Sequence, residues 1–293
     1  MSYLRGAGAA AAAPPDLVLE VAHGATRAVH FDELRAQLRD RYAPDLRDFF
    51  FVNTDVGAPE VARAVAARVV HSQPRRTALV VRCLLPRTFV DCNRRIDRST
   101  PAAGSGAGEL TPGLPPWIRE PADRDLLLDR YFAYREVVAA AVASACDRGG
   151  SALFVHTYAP RSIDVPVDEH VVASLRDAYA ANRIGTWLLR PAVDLITHDP
   201  DGRELAAVRL AQRAEHEYRA AGYDTHRNGT YSLHPMTMAH EYAVRYPDRT
   251  LCLELRRDLL LAEFKPFEEM IPEAAKVERA AAPLAAAVLQ SFA

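Results

Sequence analysis

The chain has 293 residues, 49% of them hydrophobic and 25% charged, with a formal net charge of -2. That length can bury a large apolar core, and the charge balance gives no general attraction to nucleic acid or to an anionic membrane. Only Lys265 and Lys276 are lysines, so nearly all the positive charge is arginine, in keeping with a compositional bias that also shows in the abundant alanine.

Residues 1–15 are Ala-rich but too weakly apolar for a signal peptide, and they read as a disordered N-terminal tail. Leu17 to Ala22 is a short β-prone run, followed by helical spacing from Phe31 to Tyr42. Phe49-Phe50-Phe51-Val52 is the next apolar run and takes the place of a second core strand. It leads through Asn53-Thr54-Asp55 into a helix over 58–70 with Pro59 at its start. Thr77 to Leu84 is the clearest buried strand, with Thr88 to Cys92 continuing as an extended segment.

Between Ser99 and Pro116 the chain is rich in Gly, Pro, Ser and Ala and lacks periodicity, which predicts a mobile loop or lid. Trp117, beside Pro115 and Pro116, either closes that loop over a ligand or anchors it. A long helix over 123–147 follows, ended by Gly149-Gly150, and Ala152 to Val155 is a strand leading into His156. Further helices are predicted over 167–181, 204–221, 235–246 and 272–291, with a strand over 250–255. Alternating strands and helices imply an α/β fold. Its central sheet is mainly parallel or mixed, with helices on both faces, in a single domain over 16–293. No run reaches transmembrane length.

The four cysteines, Cys83, Cys92, Cys146 and Cys252, are widely spaced, lack zinc-knuckle or redox spacing, and read as buried free thiols of a cytoplasmic protein. His23 and His156 each follow an apolar run, which places both imidazoles at strand ends, where sites of α/β folds collect. Zinc hydrolases need three protein ligands and an open position, and these histidines supply two. Glu254 is a carboxylate inside an apolar strand. It either serves as a general base with a raised pKa or pairs with Arg256 or Arg257. Asp91-Cys92-Asn93-Arg94 offers a guanidinium fork for a carboxylate, the alternative being local ion pairs with Asp91 or Asp97.

The motifs Ala22-His23-Gly24-Ala25, Arg87 to Arg94, and Val155-His156-Thr157-Tyr158 occur in the order found in the N-formylglutamate amidohydrolase family, distant relatives of the zinc carboxypeptidases, which the chain therefore resembles. The resemblance implies a zinc-carboxypeptidase-like fold and a zinc-dependent hydrolase of small N-acyl amino acids. The related carboxypeptidases place a glutamate three residues after the first histidine, but here that residue is Thr26. The resemblance then assigns the third ligand to Asp55, with Asp32 and Glu33 in reserve; as a non-ligand, Asp55 would cap a helix or stabilise a turn.

It further implies Glu254 as general base and Asn93 and Arg94 as carboxylate-binding residues. In Arg227-Asn228-Gly229-Thr230-Tyr231, Asn228 and Tyr231 are placed on the substrate side, although Asn-Gly also makes a plain turn. The implied partner is a small carboxylate-bearing molecule, and the implied cofactor is Zn²⁺. Phe154, where the family carries an acid, and Thr26 leave open a metal-free binding protein on the same fold; a carboxypeptidase acting on peptides is the other alternative.

Overall fold

The computed structural model describes residues 1–292. Seven strands form one sheet in the order β1-β3-β2-β4-β7-β5-β6. These are β1 (Ser2–Arg5), β2 (Leu17–Val21), β3 (Thr77–Arg82), β4 (Ser151–Tyr158), β5 (Val193–Ile196), β6 (Thr225–Arg227) and β7 (Thr250–Arg256). The pairs β3/β2, β2/β4, β4/β7 and β5/β6 are parallel, whereas β1/β3 and β5/β7 are antiparallel, so the sheet is mixed.

The central strands are apolar on both faces because helices cover both. One face carries Leu17, Leu19, Val80, Leu153, Val155, Leu253 and Leu255 against α3 (Ala58–Ser72), α6 (Val208–Ala220) and α8 (Ala274–Ser291). The other carries Val18, Leu79, Val81, Phe154 and Cys252 against α4 (Pro121–Cys146) and α7 (Met238–Arg245). Pro121 occupies the first turn of α4, where its missing N–H costs no hydrogen bond, and Gly149 at φ 85° ends the turn that follows it.

A third apolar cluster lies beyond the sheet's C-terminal edge, around α1 (Ala28–Arg35), α2 (Leu46–Asn53) and α5 (Val171–Ala178). Here the fold departs from expectation. Phe49 to Val52 is helical, not a core strand. With β3 hydrogen-bonded directly to β2, no vacant edge lies between them, and Leu46, Phe49 and Phe50, at helical spacing, pack beside Phe31 and Phe89.

Thr88 to Cys92 is a pair of tight turns rather than extended chain, with Phe89 N and Val90 N both donating to Pro86 O at 2.9 and 3.3 Å. The first fifteen residues are not a disordered tail: Ser2–Arg5 pairs antiparallel with β3, and Tyr3 Oη donates to Ala13 O at 3.1 Å. That strand hides the open edge of β3. The short β5 and β6 were not anticipated, and α5, α6 and α7 are shorter than predicted because side chains and turns take over at their ends; Thr237, not Pro235, caps α7. No helix among the described residues is long and apolar enough to cross a membrane.

Candidate active site

The site is assembled at the C-terminal ends of β2, β4 and β7, where parallel strands release their chains into loops. The register pairs His156 with Glu254, and Glu254 with Asp194 on β5, so the three side chains stand in one row on one face. His23 lies two residues past β2, the neighbour of β4, and its ring centroid is 5.2 Å from that of His156. Asp55 arrives from the opposite direction, in the loop between α2 and α3. Its N–H donates to His23 O at 3.3 Å, and Gly57, at φ 91°, supplies the left-handed turn that redirects the chain into α3.

His23, Asp55 and His156 are all buried, and one donor atom from each lies within 4.8 Å of the other two. Nδ1 of His23 and Nδ1 of His156 face the same oxygen, Asp55 Oδ2, at 3.2 and 2.9 Å. The other nitrogen of His23 is 2.8 Å from Asp91 Oδ1, the arrangement by which a carboxylate fixes the tautomer of a metal-ligating imidazole. Nε2 of His156 is buried without a partner. Two imidazoles and a carboxylate, buried and converging with an outer carboxylate behind one of them, are a donor set that fits a divalent cation such as zinc. Asp32 and Glu33 take no part: they lie on α1, and Asp32 pairs with Arg47 at the surface. Thr26 accepts a hydrogen bond from Arg82.

The electrostatics follow from burial and from these pairings. Burial opposes ionisation of Asp55, but the His23 charge and hydrogen bonds from both histidines outweigh it and hold the carboxyl well below its ordinary value. Burial likewise disfavours a charged His156, yet its bond to Asp55 wins and pushes its pKa up to about 9. Asp91 is also depressed: the desolvation it suffers is overcome by Arg87, whose Nη2 lies 3.1 Å away, and by Arg94. Glu254 goes the other way. Desolvation dominates, assisted by the nearby Asp55 charge against the His156 charge, and raises its pKa to about 7.

Neither arginine considered as a partner of Glu254 pairs with it. Arg256 binds Asp258, while Arg257 donates to Val52 O and Thr157 O and lies 3.6 Å from Asp55 Oδ1. Glu254 Oε2 is left buried and without a hydrogen bond.

A cavity of about 560 Å³ opens over these residues. Its lining includes Asn93, Arg94 and Tyr231, as expected, and also Arg87, Arg190 and Arg257, which sequence reasoning did not assign to the site. Arg94 is already engaged: Nε donates to Thr111 O at 2.9 Å, Nη2 to Thr111 Oγ1 at 2.8 Å and Nη1 to Asn93 O at 3.2 Å. Asn93 accepts from Met238 N at 3.1 Å, tying the Asp-x-Asn-Arg turn to the start of α7.

Asn228 is not in the lining. Its Oδ1 accepts from Thr197 N and His198 N, and its Nδ2 meets Thr197 Oγ1 and His198 Nδ1, so it is a turn residue at φ 53°. Instead Asp194, buried on β5, accepts from Gly229 N and Thr230 N at 2.8 and 2.7 Å and so positions the loop carrying Tyr231. A carboxylate in a four-residue apolar strand was the signal for it. Residues of 105–115 and 161–167 line the cavity side by side, joined by the Ser105 to Val167 bridge and by Gly108 N donating to Asp164 Oδ1 at 2.7 Å, and Trp117 anchors the first segment through Nε1 to Thr88 O at 2.9 Å.

A family model described as N-formylglutamate amidohydrolase matches residues 16–261. Among solved structures, the chain is similar to a gene product of Agrobacterium tumefaciens at 18% identity and a TM-score of 0.56, covering 96% of this chain and 92% of that one. A metallo-carboxypeptidase from Burkholderia cenocepacia aligns at 13% identity and a TM-score of 0.41, covering 96% of this chain and 58% of that one. No curated protein matches.

Proposed function

Because the chain belongs to the N-formylglutamate amidohydrolase family, we propose that it cleaves the amide bond of a small N-acyl amino acid of the N-formylglutamate kind, using zinc held by His23, Asp55 and His156. The observation that carries this reading is the convergence of those three buried donors beside a carboxylate whose Oε2 has no partner. Membership of an amidohydrolase family and the donor chemistry support it together.

Zinc bound there would polarise the acyl carbonyl and acidify a water molecule. Glu254 accepts the proton from the attacking water at Oε2 and returns it to the leaving nitrogen, and a pKa near 7 suits it to both transfers. Asp91 holds Nε2 of His23, which keeps Nδ1 turned toward Asp55. Arg257, 3.6 Å from the second oxygen of Asp55, offers it a counter-charge. Arg94, with Nη1 and Nη2 each retaining one N–H, receives a substrate carboxylate, while Asn93 and Tyr231 complete the wall. The four buried, unpaired cysteines suit a reducing cytoplasm.

The test is release of formate and glutamate from N-formyl-L-glutamate by zinc-loaded protein, with metal-stripped protein as control. Metal-dependent release supports the proposal. Fully loaded protein that hydrolyses no N-acyl amino acid contradicts it.

A further inference from the structure

The cavity is flanked by cations on both sides of the metal-binding cluster. Arg94 and Arg87 follow β3, whereas Arg190 precedes β5; β2, β4 and β7, which carry or lead to His23, His156 and Glu254, lie between. The two sides are built differently. Arg87 lies 3.1 Å from Asp91, and all three nitrogens of Arg94 already donate to protein oxygens.

Arg190 has no carboxylate within ion-pair distance among the described residues. Its guanidinium lies beside a pair of tyrosine rings whose centroids are 6.4 Å apart, 5.1 Å from that of Tyr158 and 5.4 Å from that of Tyr231. Nη2 donates to Tyr231 Oη at 2.9 Å and Nη1 to Ala159 O at 3.3 Å, but Nε is buried and donates to nothing. The two tyrosines are themselves held: Tyr158 Oη donates to Pro191 O at 2.8 Å, and Asp194 fixes the loop that carries Tyr231.

A planar fork held against two aromatic rings and hydrogen-bonded at both Nη atoms, with a desolvated N–H left over, is preorganised for bidentate capture of a carboxylate. Leaving that N–H unpaired in a buried position is unfavourable unless a ligand meets it. We propose that Arg190 is a second carboxylate receptor of this cavity, on the side of the centre opposite Arg94, and that it decides which end of a dicarboxylic N-acyl amino acid is recognised. Tyr158 and Tyr231 act as positioning residues for it. The assignment rests on the proposed function for its choice of ligand, but it is tested by binding and not by turnover.

Zinc-loaded protein carrying Glu254→Gln, which slows hydrolysis while keeping the metal and serves as the wild-type reference at Arg190, is titrated calorimetrically with N-formyl-L-glutamate and with its two monoamides, N-formyl-L-glutamine and N-formyl-L-isoglutamine. This reference is expected to bind each monoamide more weakly than the diacid, by about 10- to 100-fold for the loss of one charge-assisted contact. In Arg190→Met one of these two penalties collapses to within about threefold while the other persists. Arg94→Lys is expected to reduce the opposite one.

Should Arg190→Met lose its fold, seen in its thermal melt, Arg190→Lys and Tyr231→Phe carry the same test, each weakening the same single penalty. An Arg190→Met profile identical to wild type overturns the proposal. So does a change confined to the pH dependence of hydrolysis, which would make Arg190 only an electrostatic neighbour of Glu254. If binding follows Arg190 as described but protein with Glu254 intact shows no hydrolysis, the receptor stands and the proposed function fails.

Discussion

Two strand-borne glutamates on the same face of the sheet stand in different surroundings. Glu20 on β2 is level with Phe154 and Cys252, and Glu254 on β7 is one row higher, level with His156. Each has an Oε2 without a partner, and in each the largest influence on the carboxyl is desolvation, which raises its pKa. Glu20, however, is 0% exposed beneath α4, with Tyr134 Oη donating to its Oε1, whereas Glu254 borders the cavity. A raised pKa therefore does not mark a catalytic group. Access to a reacting atom does, and one row of the sheet separates an acid sealed beneath α4 from one that lines the cavity, as the proposed base must.

The largest expected effect tests the centre above Glu254. His156→Ala removes a donor from a three-donor set, so bound zinc and hydrolysis should both be lost, while far-ultraviolet circular dichroism keeps its wild-type shape. Metal analysis and a formate assay on the same preparation read both effects, and retained activity would detach the chemistry from this row of the sheet.

Next in size, Glu254→Gln keeps volume but cannot take up a proton. Hydrolysis should fall by roughly 10²–10⁴-fold with zinc content unchanged. Loss of metal in this variant would make Glu254 a ligand and not a base.

A smaller effect follows from its titration. Glu254 acts as base only when ionised, so kcat/KM should fall by about tenfold per pH unit on the acid side of its pKa. That limb should lie at or below pH 7, because a bound cation favours the carboxylate. A rate independent of pH from 5 to 8 would exclude Glu254 from proton transfer.

Glu20→Gln sharpens the contrast from the other side. A folded-state pKa above the unfolded value means that the unfolded chain ionises first as pH rises, so Glu20 lowers stability increasingly above its unfolded pKa. The glutamine variant should gain stability over wild type as pH rises from 4 to neutral, with unchanged kcat. Thermal melts across that range check it, and a strong loss of kcat would give Glu20 a role it lacks here.

The contrast also explains what the sequence disclosed. Strand-borne groups were legible, because an imidazole or carboxylate after an apolar run stands out: His23, His156 and Glu254 are where the pattern placed them. Asp55 reaches the centre as expected, but from a helix and not from a strand, since three consecutive aromatics suit a buried helix packed beyond the sheet edge as well as a buried strand. Asn228 illustrates the harder case. Whether an asparagine in a loop turns to a ligand or to nearby backbone depends on tertiary partners, here the end of β5, that no local spacing reveals. Arg190 was missed for the same reason, because its two tyrosines come from residues 158 and 231.

The decisive measurement is zinc stoichiometry in Asp55→Asn beside wild type, by elemental analysis after reconstitution and removal of excess metal. The amide would keep the shape of the loop while withdrawing the anionic oxygen that both histidines face at 3.2 and 2.9 Å. The three-donor centre predicts about one zinc per chain in wild type and almost none in the variant. Equal zinc in the two proteins, or none in wild type, would contradict it.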